Sequence, residues 1–138
     1  MISAGSVPDI ESGFLLWLEG VATPLGAKQV SSELSGDLST GKLPVVQVER
    51  IGGGVSSYVL HTASISVDVY HVSRDAARKL ALQIQWAVTW ALPGRTLEGN
   101  VAVTHTDTLS APSRRPWDTT TVGARRFGAT YDVTFRPI

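Results

Sequence analysis

The 138 residues are the length of one domain, enough to bury roughly two-thirds of the unfolded surface around a single core. The absence of cysteine excludes disulfides and thiolate metal sites. Lys plus Arg number 12 and Asp plus Glu 12, so the formal charge is zero, which argues against a free-standing nucleic-acid binder with its basic footprint. A neutral wall past which nucleic acid slides is compatible with that balance, and neutrality does little to oppose association.

The longest apolar run, "FLLWLEGVA" at 14–22, is too short to span a bilayer. The start "MISAGSVPDI" lacks a basic n-region, so no signal peptide is expected, and the chain is expected in the cytosol where it is made.

Pro8 suits a first helical turn, and Asp9 and Glu11 suit its positive N-terminal dipole. Ile10, Phe14, Trp17, Leu18 and Val21 recur at helical spacing, and Pro24 forbids continuation, which predicts a helix over 8–22. Positions 23–42, rich in Gly, Ser and Thr, read as a long linker with room for a short strand near Gln29 to Ser31. "LPVVQVERI" at 43–51 reads as a strand running into a glycine turn, and Tyr58 to His61 then Ser64 to Val72 read as strand-like. In the last of these, Ile65, Val67 and Val69 point one way, and Ser66, Asp68 and Tyr70 point the other, partly wet.

Ser73 caps a second helix over 74–92, with Asp75 in its first turn and Pro93-Gly94 at its end. Ala77, Leu80, Ile84, Val88 and Ala91 form one stripe. Leu82, Trp86 and Trp90 form a second, about half a turn away at 100° per residue. "GNVAVTHTD" at 99–107 alternates like a strand, and 108–124 is turn-rich. Closing the chain, Phe127, Ala129, Tyr131, Val133 and Phe135 face a core, against Gly128, Thr130, Asp132, Thr134 and Arg136. The expected fold is α+β: a mainly antiparallel four-stranded sheet with two helices packed on one face.

"RIGGGVSS" looks like a phosphate loop, but its glycines lead into strand-like sequence rather than a helix N-terminus, so a hairpin turn is expected. His61, His71 and His105 lie in separate strands without ligand spacing, so no metal and no cofactor is expected. No Gly-x-Ser-x-Gly elbow or paired-carboxylate arrangement appears, and nothing favours catalysis. Arg and Trp are enriched at protein interfaces, so "SRRPWDTTT" makes Arg114, Arg115 and Trp117 interface candidates. Arg125 and Arg126 open the last strand as a surface pair able to face phosphates or acidic neighbours. Leu82, Trp86 and Trp90 are expected to pack mostly on the first helix, against Phe14, Trp17 and Leu18, with the remainder bordering a neighbouring subunit.

From about position 43 to the end the chain resembles the tail terminator (tail completion) proteins of long-tailed bacteriophages. The resemblance rests on "LPVVQVERIGGG", "ISVDVYHVSRDAARKLALQIQWAVTWALPG" and "RRPWDTTTVGARRFGATYDVTFRP". It implies one ring-forming α+β domain over 1–138: a helix at 8–22, a linker at 23–42, and a sheet from 43 onward that includes the helix. It implies a structural virion protein without enzymatic activity, assembled in the host cytoplasm. Such a protein forms a homo-hexameric ring on the head-proximal end of the tail tube, stops tube polymerisation and joins the head. The implied partners are the tail tube protein and a head-tail connector or neck protein. DNA passes through the lumen without sequence-specific binding, and no membrane is involved. The alternatives are another head-tail connector or adaptor, and a small-ligand-binding or enzymatic α+β domain, which needs a concave site with convergent polar groups.

Overall fold

The computed structural model describes residues 9–33, 42–55, 60–98, 100–115 and 125–137. Helix α1 spans Ile10–Ala22, and Asp9 is its N-cap: the carboxylate accepts from the Ser12 amide at 3.1 Å. Its apolar residues at i, i+4, i+8 and i+12, namely Ile10, Phe14, Leu18 and Ala22, are buried in one core. Pro24 diverts the chain into a short 3-10 turn, Thr23–Leu25, closed by Gly26 in the left-handed conformation. Helix α2 spans Arg74–Trp90, and the Ser73 hydroxyl accepts from the Ala76 amide at 3.2 Å.

The strands are β1 (Gln29–Ser31), β2 (Val45–Val55), β3 (His61–His71), β4 (Thr96–Leu97), β5 (Val101–Arg114) and β6 (Arg125–Pro137). They form one sheet in the order β1-β2-β3-β6-β5-β4, with β1 parallel to β2 and every other pair antiparallel. The sheet curls into a half-barrel. Helix α2 packs on β3, β6 and β5, whereas α1 packs on β1 and β2 at one edge and on β4 at the other. Helix α1 therefore bridges the two edges that the curl brings towards each other. Phe127, Ala129, Tyr131, Val133 and Phe135 of β6 all enter the core, together with Ile65, Val67 and Val69 of β3.

The expectation of a mainly antiparallel four-stranded sheet is overturned: the sheet has six strands and is mixed. The two additional strands are β1, of three residues, and β4, of two, each too short to carry a period. Both form because a longer neighbour offers hydrogen-bonding groups: β1 pairs Val30 with Val46, and β4 pairs Leu97 with Val101.

The strands also run longer than periodicity indicates. Gly52 to Gly54 lie inside β2, paired with Ser64, Ala63 and Thr62, rather than forming a hairpin turn. Gly53 has φ of +121°, and a Cβ there would collide with the Thr62 carbonyl. Positions 108–114, expected in a turn-rich stretch, belong to β5. Register shifts between Val103 and His105, Thr108 and Ser110, and Ser110 and Ser113 hide the alternation there.

Candidate interaction surfaces

Helix α2 lays Ala77, Leu80, Ala81, Ile84 and Val88 on the sheet. Trp86 is 64% exposed and Trp90 70%, and Leu82 is exposed beside them. The expectation that this stripe packs on the first helix is thus corrected. A stripe half a turn from the sheet-facing one points to solvent, whereas a helix lying alongside meets the flank between the two. That flank bounds a groove of about 390 Å³ lined by Val21, Leu25, Gln83, Trp86, Ala87 and Ala91. Trp86 contributes to the groove wall, and Leu82 and Trp90 are not among its lining residues.

The convex face of the sheet holds the arginines. Asp68 of β3 is only 5% exposed, though it lies on the face away from the helices. Its Oδ1 accepts from Arg115 Nη1 and from Arg126 Nε, both at 3.1 Å. Arg115 also donates to Ser66 Oγ at 3.2 Å and to Thr130 Oγ1 at 3.3 Å. Its side chain crosses β6 above Gly128, where a Cβ would meet both Asp68 Oδ1 and the Arg115 side chain. Arg126 stands over the Tyr70 ring at 5.8 Å, and the Tyr70 hydroxyl donates to Gln47 Oε1 at 3.3 Å. The clasp covers a face that the sequence leaves half wet.

Burial pushes the Tyr70 hydroxyl up to about 12, with the nearby Arg126 charge opposing. Burial lowers the Arg126 pKa, but its hydrogen bond and charge pairing with Asp68 outweigh this and leave it raised. The candidate arginines therefore divide. Arg115 and Arg126 converge on Asp68, while Arg114 and Arg125 are exposed at the same end of the ladder, Arg114 opposite Phe127 and Arg125 opposite His71. Trp117 lies outside the described residues.

The histidines are placed separately. His61 packs beside Phe135 with ring centroids 5.3 Å apart. His71 Nδ1 accepts from the Val72 amide at 2.8 Å, and burial lowers its pKa. His105 Nε2 lies 3.1 Å from Asp107 Oδ1. Among the described residues no three metal-binding side chains converge.

Among the exposed apolar residues that the sequence did not single out are two on the long strands. Ile51, 56% exposed, is the extra residue between the Arg50 and Gly52 pairs of β2, and Leu109, 57% exposed, is the extra residue between the Thr108 and Ser110 pairs of β5. Both project from β-bulges, which re-aim side chains that regular pleating would place elsewhere. An exposed large apolar residue breaking an otherwise polar run was the available signal for Leu109.

No family model matches the chain, and no curated protein matches it. Among solved structures, a chain in the virion of a native gene transfer agent particle superposes with a TM-score of 0.56 at 14% identity. The match covers 84% of each chain. The two chains share a fold.

Proposed function

We propose that the chain is a structural virion protein: a tail terminator that caps the head-proximal end of a phage-type tail tube as a homo-hexameric ring and joins the tail to the head. The observation that carries this reading is the fold held in common with a chain of a gene transfer agent virion. The exposed Leu82, Trp86 and Trp90 face gives such a ring apolar area to bury, and Arg114 and Arg125 stand exposed at one end of the β5–β6 ladder for contact with a partner, beside Arg115 and Arg126, which Asp68 engages. Trp117 remains an interface candidate from its sequence context alone.

In this reading the neutral composition suits a ring that meets protein above and below and lets DNA through its lumen without gripping it. Among the described residues no helix is long and apolar enough to cross a membrane. The proposed location is the virion tail and neck, after assembly in the host cytoplasm. The test is tube growth: adding the protein to polymerising tail tube protein should shorten the tubes seen by electron microscopy and place the protein at one end. Unchanged tube lengths with binding to the head-side connector instead would assign it to another neck component.

A further inference from the structure

We propose that Leu109 of one copy seats in the α1–α2 groove of a second copy, so that the bulge on β5 and the groove beside Trp86 are the two halves of a head-to-tail subunit contact. This rests on the ring reading, because a ring requires two different patches on opposite flanks of the same molecule.

The two patches lie on opposite flanks of α2. Thr106 Oγ1 donates to the Val88 carbonyl at 2.8 Å, which ties β5 to one flank of the helix. The groove residues Gln83, Ala87 and Ala91 line the other. Strand β4 pairs with β5 only at Val101 and Ala102, and Val103 closes onto Gly94 and Arg95, so the outer edge of β5 is open beyond that point among the described residues. A neighbour can therefore reach Leu109 without displacing a strand. Trp86 forms part of the groove wall, and the exposed Leu82 and Trp90 of the same helix add apolar area.

The chemistry of the halves matches. The groove lining carries no charged side chain, and the segment "TLSAPS" at 108–113 carries none either, so the contact desolvates no ion. Asp107, two residues before Leu109, is exposed. Lys79, one helical turn from Gln83, lines the adjoining pocket that shares Leu25 and Gln83. Two strand residues span about 7 Å and one helical turn about 5.4 Å, so with Leu109 beside Gln83, Asp107 comes within reach of Lys79 of the second copy. Ile51 is the weaker donor, because it lies on β2 beside Arg50, whose amide is held by Glu11 of α1, on the groove's own side of the molecule.

The cysteine-free chain permits a direct test. Leu109→Cys and Ala91→Cys variants, made separately and carrying different mass tags, are mixed under mild oxidation. The expected product is a disulfide-linked heterodimer in large excess over either self-linked dimer, since that bond needs Cα atoms about 4.4–6.8 Å apart. Ala91→Trp, which fills the groove, and Leu109→Asp should each lower the population of assembled rings, read by light scattering, at least tenfold. A wild-type ring with no heterodimer, or with full-mass Ala91→Trp and Leu109→Asp assemblies, overturns the inference and leaves the ring reading standing. A wild type that stays monomeric, alone and with tail tube protein, overturns both.

Discussion

Asp68 Oδ1 and Arg126 Nε lie 3.1 Å apart, with only 7% of the Asp68 side chain exposed. A carboxylate so enclosed is tolerated because two guanidinium groups and the Ser66 hydroxyl satisfy it. Asp68→Asn keeps the shape, removes the charge and leaves two half-buried cations facing each other. The expected loss is about 3 kcal/mol of unfolding free energy, read as a lower denaturant midpoint at unchanged slope. A change within about 0.5 kcal/mol would show that the clasp contributes nothing net.

Gly128 is the floor under Arg115. Gly128→Ala places a methyl group where Asp68 and the Arg115 side chain now meet, so both must shift and the clasp opens. The expected cost is about 1–2 kcal/mol. Because Arg115→Ala removes the same contacts, the two losses should not add, and a double-mutant cycle should return a coupling of about 1 kcal/mol. Simple additivity would contradict the arrangement.

Tyr70 gives a pH prediction. Its hydroxyl ionises near 10.0 when free and is pushed to about 12 in the fold, chiefly by burial. The folded chain thus holds its proton where the unfolded chain has released it. The associated stability is fully present below pH 10, falls progressively between pH 10 and 12, and is gone above. Burial raises Tyr131 in the same direction. Tyr70→Phe should flatten the decline in unfolding free energy over that window; an identical decline in both proteins would remove Tyr70 as its source.

Trp86 and Trp90 separate assembly from folding. Being mostly exposed, each can become Asp at a cost within about 0.5 kcal/mol to the isolated chain. Ring formation should nevertheless fail, because a charge is then buried at the contact. Light scattering on the folded variants checks this, and a Trp90→Asp protein of full assembled mass would remove that face from the interface.

What was legible in the sequence followed from period. The alternation of Phe127 to Phe135 and most of the two helical stripes are read directly from spacing: the structure buries Ile10, Phe14 and Leu18 and Ala77, Leu80, Ile84 and Val88, whereas Trp17, Val21 and Ala91, read into the same stripes, are only partly buried. Period fails where the chain departs from it. Leu109 and Ile51 are extra residues that reset the alternation, so the outer half of β5 and the glycine-rich end of β2 read as turns. Strand β1, for which the sequence left room near Gln29 to Ser31, is defined by a partner 16 residues away, and β4 is two residues folded back on the nearby start of β5, too short to carry a period. The Asp68 clasp draws on residues 68, 115 and 126, and only strand register shows that they meet. The second stripe of α2 was visible, but its partner was misassigned: a stripe half a turn from the sheet points to solvent, not to a neighbouring helix.

The most direct test of the tail-terminator account is the mass of the assembled protein, measured by size exclusion with light scattering, alone and with tail tube protein. The account predicts six copies of the 14.7 kDa chain, as a free ring or as a ring bound to the tube end. A monomer under both conditions, with no tube bound, would contradict it.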